Sequence, residues 1–230
     1  MNKTNQKRLL KDVVEIIKNP LNDNGIYYKH DDKNMLHAYA LVIGPKDTLY
    51  NFGYYFFEIN YPKDYPYSPP RLKYLTNNGY TRFHPNLYRT GKVCLSVLNT
   101  WRGEQWTSCQ TIRSVLLTLV TLFHNKPLLN EPGITEKFKD FKKYNKIIEY
   151  ENYKTAILSV LNGKIKHPAV EEFKSIIDES FEKNKEKIKI QLTTNSKKPK
   201  KNVHISIYNN MESVIDYEKL CNNFKELVDK

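Results

Sequence analysis

The sequence predicts an α+β fold: an N-terminal helix, a four-stranded antiparallel meander, an irregular segment, a central helix, and further helices running into a C-terminal extension. Three observations predict it. Apolar residues recur at helical spacing between Gln6 and Lys18 and again from Ile112 onward, as in helices that bury one face. Between these stretches, four short segments rich in Tyr, Val, Ile and Phe follow a period of two. Strands this close in sequence suit antiparallel pairing, because parallel neighbours need a long crossover. With 230 residues, 40% of them hydrophobic, the chain can bury a sizeable core. It divides into a core domain over residues 1–162 and an extension over residues 163–230.

The first helix carries Leu9, Leu10, Val13, Ile16 and Ile17 on one stripe. Lys7, Arg8 and Lys11 lie off that stripe and face solvent, and Pro20 stops the helix. Strands are expected at Ile26–His30, Leu36–Ile43, Tyr54–Asn60 and Arg71–Thr76, with Gly44-Pro45-Lys46-Asp47 as a turn. Between the last two strands, YPKDYPYSPP (Tyr61 to Pro70) holds four prolines. Proline fixes φ and removes a donor, so this stretch reads as a rigid, extended loop. Asn77 to Trp106 has no regular period, and long irregular stretches inside compact domains commonly carry function.

The central helix has Ile112, Val115, Leu116, Leu119, Val120 and Phe123 on one face, Thr107 or Ser108 as its cap, and an end near Asn125. A second helical face runs through Tyr153, Ala156, Ile157, Val160 and Leu161 and ends at Asn162-Gly163. Pro168 opens the next helix, with Val170, Phe173, Ile176, Ile177 and Phe181 inward. Beyond Lys183 the pattern turns polar. The basic stretch near 195–202, NSKKPKK from Asn195, reads as a flexible linker. A strand-like piece, Val203 to Tyr208, and a helix from about Asp216 to Val228 close the extension.

The formal charge is +12, with 17 basic against 10 acidic residues up to Gly133 and 20 against 15 beyond it. An excess spread this evenly fits a composition rich in Lys, Asn, Tyr and Ile; a nucleic-acid surface calls for a localised patch. No apolar run reaches membrane-spanning length, and the charged N-terminal stretch does not read as a signal peptide. Three cysteines, Cys94, Cys109 and Cys221, are too few for a disulfide scaffold. There is no CxxC, HExxH or His/Cys cluster for zinc, and no Gly-rich phosphate loop. The expectation is a soluble cytoplasmic protein without cofactor or metal; NSKKPKK is open to reading as a nuclear signal.

The segment RFHPNLYRTGKVCLSVL, Arg82 to Leu98, holds the chemistry-bearing residues. A free intracellular cysteine is commonly a small buried hydrophobe. Against that reading, Cys94 lies in irregular chain, three residues after Gly91, with the donors Asn86, Lys92 and Ser96 nearby. A Cys–His nucleophile pair would use His84 as base. Pro85, however, pushes His84 to extended backbone, which suits a structural ring as well as a mobile one. The expectation is a Cys94 sulfur reachable in a shallow groove beside Asn86.

His84-Pro85-Asn86, then Gly91-Lys92-Val93-Cys94-Leu95, then Trp106, resemble the signature of ubiquitin-conjugating enzymes. The proline-rich Tyr61–Leu72, Thr111-Ile112 with its following helix, and the first helix agree in order, so the resemblance covers about residues 5–162. Lys92 to Ser96, the Asn99-Thr100-Trp101-Arg102-Gly103 loop, Asn130-Glu131-Pro132-Gly133, Tyr144-Asn145 and Asp216-Tyr217 look like the larger Z-type members, related to the domain in giant apoptosis-inhibitor proteins.

The resemblance implies the fold of that family and a transferase without cofactor. In such enzymes the cysteine, here Cys94, takes ubiquitin or a ubiquitin-like protein from an activating enzyme as a thioester, and gives it to a lysine or a ligase. It implies that Asn86 supplies an oxyanion donor or fixes the surrounding loop, that His84 holds the loop, and that Asn130 or Glu131 orients the attacking amine, with Ser96 a lesser candidate. Lys7, Arg8 and Lys11 would meet the activating enzyme. Tyr67, Thr107 and Ser108 would meet a RING-type ligase, although Thr107-Ser108-Cys109 departs from the common Ser-Pro-Ala pattern there. Cys109 and Cys221 are expected to be structural, and Trp101 and Trp106 to brace the loop. Two other readings stand beside this one: a non-catalytic module that binds ubiquitin or ligases, and a basic nucleic-acid-binding protein.

Overall fold

The computed structural model describes residues 1–229. Helix α1 (Lys3–Lys18) starts three residues earlier than the spacing predicts, because the Asn2 side chain accepts from the Asn5 N–H at 2.8 Å and caps it. Its buried stripe is Leu9, Val13 and Ile16. Leu10 and Ile17, expected on that stripe, are 51% and 58% exposed. Strands β1 (Ile26–His30), β2 (His37–Ile43), β3 (Tyr54–Asn60) and β4 (Arg71–Tyr74) pair antiparallel in chain order. Tyr28, Ala40, Phe57 and Tyr74 line up across the four.

One face of this sheet, through Ala38, Ala40, Val42, Tyr55, Phe57 and Ile59, joins the main core. The other face, Leu41, Tyr54 and Phe56, is covered by Val160, Ala169, Phe173 and Ile177. Both faces are therefore buried, which is why β3 reads as a nearly unbroken apolar run rather than an alternation.

Helix α2 (Ile112–Val120) is capped by Thr111, whose hydroxyl and backbone exchange hydrogen bonds with Ser114. Thr107 and Ser108 do not cap it; they lie in an exposed turn before it, and the helix ends five residues before Asn125. Helix α3 (Phe141–Glu151) begins before Tyr144 and widens into π-helical turns over Asn152–Ser159. There the buried Asn152 amide accepts from the Tyr55 hydroxyl at 2.5 Å and donates to the Asn51 carbonyl at 2.9 Å. A Cβ on Gly53 would sit 2.1 Å from that amide oxygen, so the position needs glycine.

The extension is built into the same core. Helix α4 (Pro168–Glu172) is capped by His167, and α5 (Lys174–Ser196) follows. The polar second half of α5 is anchored by fully buried Ile188 and Leu192, one turn apart. NSKKPKK is not a linker of its own: it is the end of α5, a short turn, and the start of β5 (Lys201–His204). That strand pairs with β6 (Glu212–Ile215), a hairpin partner the sequence reading missed. The expected strand therefore stops short of Tyr208, because Tyr208, Asn209 and Asn210 all adopt left-handed φ of 60°, 57° and 55° and form the hairpin tip. Helix α6 (Tyr217–Val228) packs on α5. Val203, Ile205, Met211, Ile215, Leu220, Cys221 and Phe224 share one apolar cluster with Leu9, Phe57 and Leu116. Among the described residues no helix is long and apolar enough to cross a membrane.

Candidate active site

The chain from Thr81 to Leu98 folds as a tight hook against β4. Leu87 bridges Val93, and Lys73 bridges Lys92. The turn closes with the Gly91 N–H donating to the Tyr88 carbonyl at 2.9 Å, and the Tyr74 N–H donates to the Gly91 carbonyl at 2.7 Å. Gly91 has φ +90°, and a Cβ there would lie 2.9 Å from the Tyr74 carbonyl oxygen. Glycine is what lets the hook sit against the sheet edge.

Asn86 grips Cys94 from both sides. The Asn86 side-chain amide donates to the Cys94 carbonyl at 2.7 Å, and the Cys94 N–H donates to the Asn86 carbonyl at 2.9 Å. Its side-chain oxygen faces Asn130 Nδ2 at 3.4 Å. Asn130 Oδ1 in turn lies 3.3 Å from His124 Nε2, and His124 Nδ1 accepts from the Lys126 N–H. One line of polar groups thus runs from His124 through Asn130 and Asn86 to the cysteine backbone.

His84 is fully buried, and its Nδ1 accepts the Asn86 N–H at 3.0 Å. Burial, then the His124 ring and the Arg82 guanidinium, hold its pKa well below the ordinary imidazole value. A neutral ring with Nδ1 accepting carries its proton on Nε2, and that atom has no hydrogen-bond partner among the described residues. His84 is not paired with Cys94 as an acid–base couple would be.

Cys94 is 2% exposed. This corrects the expectation of a reachable sulfur: the double hydrogen bond to Asn86 draws the cysteine down onto the hook. Its neighbours Val93 and Leu95 belong to the main apolar cluster and Cys94 does not. Beyond it, Thr100 Oγ1 accepts the Leu95 N–H at 2.9 Å, and Asn99 Oδ1 accepts the Trp106 N–H at 2.8 Å, so the 99–106 loop is folded back on the segment after the cysteine. Ser96 is half-buried beneath Gly103 of that loop.

Glu131, half-buried, ends the short turn Pro127–Asn130. Its Oε2 accepts from the Tyr208 hydroxyl at 2.7 Å. Arg82 stacks on Tyr88 with 3.2 Å to the ring centroid and donates to the carbonyls of His84 at 3.2 Å and Pro85 at 2.5 Å. Tyr208 and Arg82 were not singled out in the sequence. Asn209-Asn210, residues that tolerate left-handed backbone, was the available sign of a turn there.

The surface residues separate into two kinds. Lys7, Lys11, Thr107 and Ser108 are exposed, and Tyr67 is 70% exposed. Arg8 does not simply face solvent. It meets both carboxylate oxygens of buried Asp12 at 2.9–3.0 Å and donates to the carbonyls of Ser108 at 2.6 Å and Gln110 at 2.8 Å. It ties α1 to the 107–110 turn. Trp106 is buried with its indole N–H on the Pro66 carbonyl at 2.7 Å, a brace between the proline loop and the 99–106 loop. Cys221 is buried, whereas Cys109, expected to be structural, is exposed on the turn. Among the described residues no three His, Cys, Asp or Glu side chains converge as a metal site requires.

The family model described as ubiquitin-conjugating enzyme matches residues 8–157. Proteins named ubiquitin-conjugating enzyme E2 Z are similar over 177 residues, 76% of this chain, at 38% identity in Xenopus tropicalis and Homo sapiens and 40% in Danio rerio. The alignments cover 55%, 49% and 53% of those proteins, so the chain spans about half the length of the curated relatives it matches. The human protein named dual E2 ubiquitin-conjugating enzyme/E3 ubiquitin-protein ligase BIRC6 is 37% identical over 135 residues, 55% of this chain and 3% of its own length. The hook carrying Cys94 lies inside the matched span, on a sheet, helix order and core consistent with that match: the chain belongs to the ubiquitin-conjugating enzyme family, transferases that work through a cysteine thioester, and within it to the Z type.

Proposed function

We propose that this chain accepts the C-terminal carbonyl of ubiquitin or a ubiquitin-like protein from an activating enzyme, holds it as a thioester on Cys94, and passes it to a substrate lysine or a ligase. The observation that carries this reading is the grip of Asn86 on both backbone polar groups of Cys94, a cysteine that stands outside the apolar cluster its neighbours join.

In loading, the Cys94 thiolate attacks the incoming thioester carbon; the new C–S bond forms, the old one breaks, and the activating enzyme leaves as a thiolate. Sulfur serves as both nucleophile and leaving group, which makes the step reversible in kind. In discharge, a neutral lysine amine attacks the same carbon. The C–N bond forms, Cys94 leaves as thiolate, and the amine gives up a proton. Free lysine is charged at neutral pH, so a carboxylate near the entry helps orient the amine and take the proton. Glu131 fills that role, and Asn130 fixes the turn that presents it. Asn86 acts as a positioning residue, since its side-chain amide already donates to the Cys94 carbonyl. His84 holds Asn86.

Lys7 and Lys11 form the cationic face for the activating enzyme, with Arg8 shaping it from within. Tyr67, Thr107 and Ser108 form the ligase face, on two loops pinned together by Trp106 and Pro66.

The near-complete burial of Cys94 favours one alternative, a module that binds ubiquitin or ligases without carrying a thioester. Incubation with activating enzyme, ATP and ubiquitin decides between them. The catalytic reading requires a reductant-sensitive adduct, a reductant-resistant adduct with Cys94→Ser, and none with Cys94→Ala. Cys109→Ala and Cys221→Ala should load as the unaltered chain does. No adduct with any activating enzyme and modifier pair would leave the binding module.

A further inference from the structure

The tip of the β5–β6 hairpin lies against the candidate active site. Ser206 anchors it, donating both its N–H at 2.8 Å and its hydroxyl at 2.7 Å to the buried carboxylate of Asp140. Two residues on, the Tyr208 carbonyl accepts from Arg89 Nη2 at 2.8 Å, and the Met211 sulfur accepts the Arg82 N–H at 3.2 Å. The Tyr208 ring packs on Tyr144 at 5.9 Å and faces the Arg82 guanidinium at 5.1 Å. With the chain held on these sides, the Tyr208 hydroxyl donates to Glu131 Oε2 at 2.7 Å. The three left-handed residues at the tip give the chain the shape this requires; such backbone persists where its surroundings over-determine it.

We propose that Tyr208 is a positioning residue for amine transfer: through its hydroxyl, the C-terminal extension holds the Glu131 carboxylate in the orientation that receives a substrate lysine. The assignment rests on the reading of Glu131 as the group that orients the amine. Glu131 follows Asn130 in the chain, and Asn130 is bonded to Asn86 and through it to Cys94, so the Glu131 carboxylate is carried on the residue next to that polar line. A carboxylate on a half-exposed turn samples several rotamers. One hydrogen bond from a fixed phenol selects among them, an effect of about fivefold to tenfold in rate when lost.

The test is single-turnover discharge of the preloaded Cys94 thioester to free lysine, so that loading does not enter. Tyr208→Phe keeps the ring and removes only the hydroxyl. Compared with the unaltered chain it should discharge about fivefold to tenfold more slowly, whereas Glu131→Gln/Tyr208→Phe should match Glu131→Gln alone within about twofold. Discharge to a small thiol, which needs no such orientation, should not follow the lysine rate. Tyr208→Phe at the unaltered rate beside a slow Glu131→Gln would overturn the role of Tyr208 and leave that of Glu131. Equal slowing by Tyr208→Phe in both backgrounds would make the tyrosine merely structural. An unaltered rate for Glu131→Gln would remove the gate itself and this proposal with it, and a missing thioester would remove both along with the proposed function.

Discussion

The Asn86 side chain donates to the Cys94 carbonyl at 2.7 Å while the Cys94 N–H donates back to the Asn86 carbonyl at 2.9 Å. A residue bonded this way sets where a neighbouring sulfur sits, with one of its two amide N–H groups already committed to the cysteine backbone. Asn86→Ala would leave the Cys94 carbonyl and the Asn130 amide without their partner in a buried site. It should lower stability by about 2 kcal/mol, the size of leaving a buried polar group unpaired. Lysine discharge should slow by about a hundredfold, near the lower figure for losing a direct oxyanion donor. Parallel denaturant titrations and single-turnover assays check it; a slow Asn86→Ala with unchanged stability would mean that the amide acts on the reacting carbonyl directly.

His84 gives the hook a dependence on pH. Its folded-state pKa lies well below the ordinary value, through burial first and the neighbouring His124 and Arg82 next. In the unfolded chain the ring takes up a proton near pH 6.5, while the folded chain does not, so the unfolded state binds more protons and stability falls as pH drops below that value. His84→Asn retains an acceptor for the Asn86 N–H and cannot titrate. Thermal melts from pH 7.5 to 5 should therefore show a shallower decline for His84→Asn than for the unaltered chain, although His30 and His167, also held below the ordinary value chiefly by burial, keep some slope in both.

Arg8 and its lysine neighbours should part company on mutation. Arg8→Ala removes a planar fork that satisfies Asp12 and two carbonyls of the 107–110 turn, while Asp12, which also accepts from the Tyr65 hydroxyl at 2.6 Å, loses its cation. A loss of about 2 kcal/mol is expected, from hydrogen bonds to charged groups. Arg8→Lys should recover little, because an ammonium cannot reproduce the fork. Lys7→Ala and Lys11→Ala, on exposed side chains, should stay within about 0.5 kcal/mol and so report on activating-enzyme binding without a folding effect.

What was legible in the sequence follows from which forces act locally. The four strands were placed within a residue or two, because turn residues and β-branched or aromatic runs are local signals. The hook was legible only as irregular chain with the Pro85 constraint and Gly91 in it; that Gly91 takes φ +90° and closes the turn on the sheet edge is seen in the structure. Cap choice was not: Thr107, Ser108 and Thr111 all satisfy the cap preference, and only the reciprocal Ser114 bond selects Thr111. The closed thiol and the Tyr208–Glu131 bond were hidden because they depend on residues 77 or more apart in the chain or on the packing of a whole loop. The Tyr54-Tyr55-Phe56-Phe57 run did carry a message that went unread: an unbroken aromatic run in a strand calls for cover on both sheet faces.

That second cover comes from the extension, which makes the last prediction one about domain organisation. Phe173 lies 6.4 Å, ring to ring, from Phe56 on the outer face of the sheet, and Ile188 and Leu192 sit fully buried in the same cluster as Leu116. If residues beyond 162 were an appendage, mutations there would leave the core domain's stability untouched. Because they share its interior, Leu192→Ala should cost about 2–5 kcal/mol and Phe173→Ala about 3–5 kcal/mol, as in any well-packed core. Each variant should unfold in one transition that moves together whether followed by far-ultraviolet circular dichroism or by the fluorescence of Trp101 and Trp106, which lie in the other half of the chain. A shifted early transition seen by circular dichroism, with the tryptophan signal left in place, would show instead that the extension melts by itself.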